Sequence, residues 1–218
     1  MASGIANARQ VRGDLVRAVN RGLAVDGFAR SATHILRRAV PFDGTCLVTF
    51  DPATLLPTAE IVENSLPAPA MRRLGEIEMR EIDVNKLTAL ARGPRPAASL
   101  SAATNGDLDR SLRHRELRRP HGFGDELRAV LPDSTGTWGA LTLMREAGTR
   151  HFTPGEVRLV ASLVDVLAEG LRRAILHRTA AAGDTRDDTE PGLLVLAPDD
   201  TVEAANAAAD RWLDELGA

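Results

Sequence analysis

The side chains able to make or break bonds are few and scattered. The five histidines, His34, His114, His121, His151 and His177, show neither an HExxH pattern nor any metal-ligand spacing. His114 and His121 bracket the stretch His114-Arg-Glu-Leu-Arg-Arg-Pro-His121, the one arrangement that could hold a haem or a metal ion. Cys46 is the single cysteine, which excludes an internal disulfide, a multi-cysteine metal site and a two-thiol redox pair. It sits in a run of β-branched and aromatic residues and reads as a buried structural thiol. The adjacent carboxylates Asp187–Asp188 and Asp199–Asp200 fall in a linker and a turn, so they read as solvated charges rather than a general acid and base. Gly122-Phe-Gly124 and Thr135-Gly-Thr-Trp-Gly139 lack the strand-to-helix context of a phosphate loop. Arg110, Arg113, Arg115, Arg118 and Arg119 form the densest basic cluster; the plain reading is a solvated helix face, the sharper one an anion or partner patch.

Composition narrows the classes further. The chain has 218 residues, 44% of them hydrophobic, enough for one or two cored domains. A net charge of -3 gives no general attraction to nucleic acid. No apolar run approaches the roughly 20 residues needed to cross a bilayer, and the first residues lack the charged-then-apolar order of a secretion signal. A cytoplasmic location is expected.

The elements that must position these residues centre on Asp125 to His177. Asp125 to Pro132 alternates, with Leu127, Ala129 and Leu131 on one face. Asp133-Ser-Thr-Gly136 is a turn, and Thr137 to Met144 a second strand, predicting an antiparallel hairpin. Thr153-Pro-Gly-Glu156 then carries an N-cap, a first-turn proline and the glutamate of a capping box. The spacing of Val157, Val160, Leu163, Val164, Leu167, Leu171 and Ile175 predicts one helix from Pro154 to His177, about 36 Å long.

Upstream, Val11, Leu15, Val19 and Leu23 predict a helix over Ala8–Leu23 whose narrow seam suits pairing with another helix. Asp26 is expected to cap a second helix carrying Phe28, Ala32, Ile35 and Leu36, ended by Pro41. Thr45 to Phe50 and Thr58 to Glu63 read as a strand pair. Between Asn64 and Pro120 the pattern weakens: helices are expected over Pro69–Met79, Val84–Ala91 and Gly106–Arg119, with a short strand or loop at Ala98–Thr104. Thr179 to Glu190 reads as a linker. Residues 191–218 read as strand, Asp-Asp turn, strand and helix, too short to bury a core alone.

This order of elements resembles a GAF domain. The likeness is carried by Gly44-Thr-Cys-Leu-Val-Thr-Phe-Asp-Pro-Ala-Thr54, by Gly122-Phe-Gly-Asp-Glu-Leu-Arg-Ala-Val130, and by Trp138-Gly-Ala-Leu-Thr-Leu-Met-Arg145 leading into Phe152-Thr-Pro-Gly-Glu156. It is similar to the amino-terminal sensor region of bacterial LuxR-type helix-turn-helix regulators, and Gly192 to Leu213 resembles the opening of the PAS-like segment that follows there. The resemblance implies an α/β fold of the α+β kind: an antiparallel sheet flanked by helices, with long N- and C-terminal helices. It divides the chain into a sensor domain over 8–178, a linker over 179–190 and a partial PAS-like segment over 191–218.

The resemblance implies a sensory or regulatory module without catalysis, the ligand- or partner-binding half of a regulator whose DNA-binding part lies outside this chain. Some GAF domains attach a bilin through a cysteine, but that cysteine lies in a later loop than Cys46. The family's cyclic-nucleotide signature is absent. Two alternatives stand beside this: an enzyme of the free methionine sulfoxide reductase type, disfavoured because one cysteine supplies no resolving thiol, and a ligand-free dimerisation scaffold. The expected partners are a second copy, bound through the Val11–Leu23 and Pro154–His177 helices, and an unidentified small molecule. No specific DNA binding by this chain and no membrane are expected, and no cofactor is identified. The expected ligand walls are Leu47, Thr49, Val130 and Leu141 on the sheet, roofed by Leu87, Leu90 and Phe123.

Overall fold

Strand pairing follows the two hairpins. A computed structural model describes residues 2–182, 192–197 and 199–217. Helix α1 (Ala2–Val19) and α2 (Val25–Arg37) precede the hairpin β1 (Gly44–Phe50) and β2 (Pro57–Glu63). Helices α3 (Ala68–Arg80) and α4 (Leu87–Arg92), strand β3 (Ala97–Ser99) and helix α5 (Leu100–Ala103) fill the middle. A 3-10 turn (Leu108–Arg110), a π turn (His114–Arg118) and a second 3-10 turn (Arg119–His121) lead into the hairpin β4 (Phe123–Asp133) and β5 (Gly136–Glu146). Helices α6 (Pro154–Ala161) and α7 (Val164–Ala182) follow, then β6 (Leu194–Leu196), β7 (Val202–Ala205) and α8 (Ala207–Leu216).

The first five strands form one antiparallel sheet in the order β2-β1-β5-β4-β3. This is the expected antiparallel sheet flanked by helices. Helices α1, α2 and α7 cover one face and bury Leu15, Phe28, Leu36, Leu47, Leu127, Leu141, Leu143, Leu167 and Leu171 in one continuous core. Gly170 makes this packing possible: a Cβ there would lie 2.1 Å from the Phe28 ring. Gly139 does the same between strands, where a Cβ would meet the Val48 carbonyl at 2.3 Å.

Several expectations need correction. The helix over Pro154–His177 is two helices. Ser162 and Leu163 make a turn between them, with the Leu163 amide bonded to the Val160 carbonyl at 3.0 Å. Arg12 from α1 donates to the Ser162 carbonyl at 2.9 Å and grips Asp165, occupying that break. Helix α7 extends to Ala182, past the expected start of the linker at Thr179, and 183–190 lie outside the described residues. Asp26 is not the cap of α2; Ala24 holds that position, and Asp26 sits in the first turn. The Val11–Leu15–Val19 seam does not stand free for a partner. It is buried within the chain against Leu167 and Leu171, so a narrow seam is satisfied by α7 of the same molecule. The stretch Gly106–Arg119 is not one helix but a succession of tight and wide turns.

The loop between β5 and α6 is fixed by buried charge. Arg145 donates to Pro41 O at 2.9 Å, to His151 O at 2.9 Å and to Glu156 at 2.8 Å, and its guanidinium lies 4.1 Å from the Phe152 ring. The expected capping box is present: Glu156 accepts from the Thr153 amide at 2.8 Å and Thr153 from the Glu156 amide at 3.2 Å. Partial burial raises the Glu156 carboxyl, but Arg145 and the Thr153 donors outweigh it and hold the group at about 2. A depressed carboxyl stabilises the fold fully above its ordinary value of 4.5, and that contribution disappears as pH falls toward about 2. Chemical unfolding between pH 7 and pH 3 should therefore show an acid-induced loss that Glu156→Gln reduces, with the variant about 1–2 kcal/mol less stable at neutral pH. An identical pH dependence in the variant would contradict this.

Candidate functional site

The face of the sheet turned away from α1, α2 and α7 carries a different set of side chains. Alternation along β1 turns Cys46, Val48 and Phe50 to it; along β4 it turns Glu126, Arg128 and Val130. Strand register lines these up across the sheet. Cys46 faces Thr142, which faces Arg128; Val48 faces Ala140, which faces Val130; Met144 faces Glu126. The row through Val48 is apolar across all three strands, while the rows through Cys46 and Met144 end in Arg128 and Glu126 on β4.

Above this face the short helices α3 and α4 leave a cavity of about 360 Å³. Val48, Phe50, Leu55, Met71, Leu74, Met79 and Leu87 wall it, and Cys46, Thr142, Arg118 and Arg128 are among its polar lining. Gly75 of α3 opens onto it: a Cβ built there meets nothing within 4 Å. The volume lies in the range of small-molecule sites, and an apolar wall with a few convergent polar groups is their usual makeup.

A buried ion network contributes Arg118, Arg128 and Glu78 to the cavity lining. Glu126 takes Arg113 Nε at 2.6 Å, Arg118 Nε at 3.1 Å and lies 3.2 Å from Arg128 Nε. All four side chains are at most 2% exposed. Arg113 also pairs with Asp83 at 2.9 Å, and Arg128 with Glu78 at 2.5 Å. Asp83 in turn accepts from the Arg113 amide at 3.0 Å and the Leu112 amide at 3.2 Å, and Glu78 from the Leu87 amide at 3.1 Å. Burial raises the Glu126 carboxyl, but the three guanidiniums outweigh it and hold it well below the usual carboxylate range. The π turn brings Arg113 and Arg118 to one carboxylate; such widened turns recur at functional positions.

Burial first, then Glu60, pushes the Cys46 thiol up to about 11. His121 Nδ1 lies 2.7 Å from Leu117 O, so that ring is engaged by the backbone. Among the described residues no group of three or more metal-ligating side chains converges, and no helix is long and apolar enough to cross a membrane.

The expected ligand walls divide. Leu87 lines the cavity. Leu90 and Val130 pack beside it with Phe50 and Ala140, and Phe123 lies in a neighbouring cluster with Ile77, Leu117 and Met144. Leu47 and Leu141 belong to the core under the helices, and Thr49 alternates with Val48 to that same side, bonded to Thr58. The reading of the basic cluster as a solvated face is corrected: Arg113 and Arg118 are buried, while Arg119 is exposed and pairs with Asp109. Sequence reasoning missed Arg128, Glu126, Glu78 and Asp83. The available signal was charge at alternate positions, Glu126 and Arg128, inside an otherwise apolar strand.

No family model matches the chain, and no curated protein matches it. Solved structures do. The N-acylhomoserine lactone-dependent LuxR family factor CepR2 from Burkholderia cenocepacia is similar over 80% of this chain and 99% of its own, at 15% identity and TM-score 0.54. The phycocyanobilin-bound GAF domain of a cyanobacterial phytochrome covers 78% of this chain and 96% of its own, at 16% identity and TM-score 0.53. The VqsR ligand-binding domain from Pseudomonas aeruginosa covers 78% and 96%, at 16% identity and TM-score 0.51. At these identities the likeness concerns the fold, which is that of GAF and LuxR-type ligand-binding domains.

Removing one partner of a buried charge network leaves the others uncompensated, at a cost of about 3–5 kcal/mol. Glu126→Ala strands three guanidiniums and should lower stability by at least that much, read from the urea midpoint. A variant of unchanged stability would contradict the network's role.

Proposed function

We propose that residues 8–178 form a sensory module that binds a small molecule between the sheet and the α3–α4 layer. The observation that carries this is the 360 Å³ cavity, walled mainly by apolar side chains with a few polar groups among them. The neighbours add support: one is named for its acylhomoserine lactone dependence and another was solved with phycocyanobilin bound. A chemical role fits less well. The single thiol, at about 11, is almost wholly protonated near neutral pH and has no second cysteine to resolve an oxidised form.

In this reading 191–218 opens a second, PAS-like domain, and the transcriptional output belongs to a part outside this chain, so this chain does not itself read a DNA sequence. The neutralised arginines of the buried network offer no phosphate-binding surface. Dimerisation, if through α1 and α7, uses their outer faces, where Val16 and Leu176 are exposed, and not the seams spent inside the fold.

A neutral apolar fluorophore tests the pocket. 1-Aminoanthracene should gain fluorescence with the wild type at micromolar concentration. Gly75→Phe should abolish the gain by filling the cavity while remaining folded, because a helical glycine is replaced in open space, where even alanine would add about 0.5–1 kcal/mol. Equal fluorescence with both proteins, or none with the wild type, would remove the reading.

A further inference from the structure

The buried charges that border the cavity are already engaged. Arg128 lies between Glu126 and Glu78, and Arg118 donates to Glu126 at 3.1 Å. Arg118 Nη1 and Arg128 Nε make no hydrogen bond among the described residues, but both are sealed off, so a guest in the cavity reaches neither. Glu60 of β2 also borders the cavity; it is exposed and forms no ion pair among the described residues. Two arginines and two glutamates thus line the space, and the carboxylate left over faces water.

The groups still unused are uncharged. Thr142 is 6% exposed, and its hydroxyl makes no hydrogen bond among the described residues. That oxygen is not sealed as the two nitrogens are, and the surface it keeps opens on the cavity. Cys46 stands directly opposite on β1, likewise without a hydrogen-bond partner among the described residues. Burial and then Glu60 push its thiol up to about 11, so it keeps its proton near neutral pH. An O–H and an S–H donor therefore share the cavity floor. Directly opposed residues stand about 4.5–5.5 Å apart at Cβ, close enough for one acceptor atom to meet both.

Resting on the pocket reading above, we infer that the occupant is an uncharged, largely apolar molecule whose carbonyl oxygen accepts from Thr142 and Cys46 while its body lies against α3 and Phe50. A carbonyl has two lone pairs and no proton of its own to satisfy. A carboxylate would enter beside Glu60 and Glu78 and find no free cation. An ammonium would meet two donors and two guanidiniums. Either ion loses its hydration without a partner to replace it.

The test is displacement of 1-aminoanthracene from the wild type by four naphthalenes: 2-acetylnaphthalene, 2-ethylnaphthalene, 2-naphthoate and 2-naphthylmethylammonium. The ketone should bind about fivefold tighter than the hydrocarbon, the margin of one net hydrogen bond between neutral groups, and tighter than either ion. Thr142→Val should erase the ketone's advantage; it keeps a β-branched strand residue and removes a hydroxyl that bonds nothing in the fold. The wild-type ranking decides the matter even if that variant fails to fold. A ketone no tighter than the hydrocarbon, an ion as tight as the ketone, or an advantage that survives in Thr142→Val would overturn the carbonyl assignment and leave the pocket standing. Absence of any 1-aminoanthracene signal before competitor is added would overturn both.

Discussion

One carboxylate, Glu126, holds the layer above the sheet in place. It projects from β4 and ties down Arg113 and Arg118 from the wide turn before the strand, and Arg128 from its own strand. Through Asp83 and Glu78 the same arginines reach the loop after α3 and α3 itself. The elements from α3 to the π turn are short, and the two apolar clusters beneath them are small beside the core on the opposite face. Directional ionic contacts do here what extensive apolar burial does under α1, α2 and α7. Such contacts are poor sources of net stability but strict about geometry, because any displacement leaves a buried charge unpaired.

That division of labour explains the cavity. A layer held at one end by charge need not be packed solid elsewhere. Between α3, α4 and the β1–β2 hairpin the side chains are apolar, yet Gly75 withholds volume and the space stays open. The helical face has no such freedom, since Gly170 and Gly139 mark places where atoms already touch. One face of the sheet thus builds the fold and the other keeps open space beneath α3 and α4.

What was legible in the sequence was local. The two hairpins, the capping box at Thr153, and the strand–turn–strand–helix of 192–217 follow from turn residues and alternation, and the element order carried the fold. What was not legible depended on contacts between distant residues. Both faces of β1 and β5 are buried, so Leu47 and Leu141 looked as suited to a ligand wall as Val48 or Phe50, and apolarity could not say which face held the cavity. Arg113 and Arg118 looked solvated because their partners Glu126 and Asp83 lie in other elements. The Val11–Val19 seam looked unpartnered because its partner helix comes some 150 residues later in the chain, as the Arg12–Asp165 pair shows with its separation of 153. The break at Ser162–Leu163 had no glycine or proline to announce it.

The methionines offer the most direct measurement of whether a small molecule enters this cavity. Met71 and Met79 line it. With methyl-13C methionine labelling, titration with 1-aminoanthracene should shift the Met71 and Met79 resonances, assigned by substitution, in a saturable manner. Spectra in which neither Met71 nor Met79 moves at saturating 1-aminoanthracene would contradict the account.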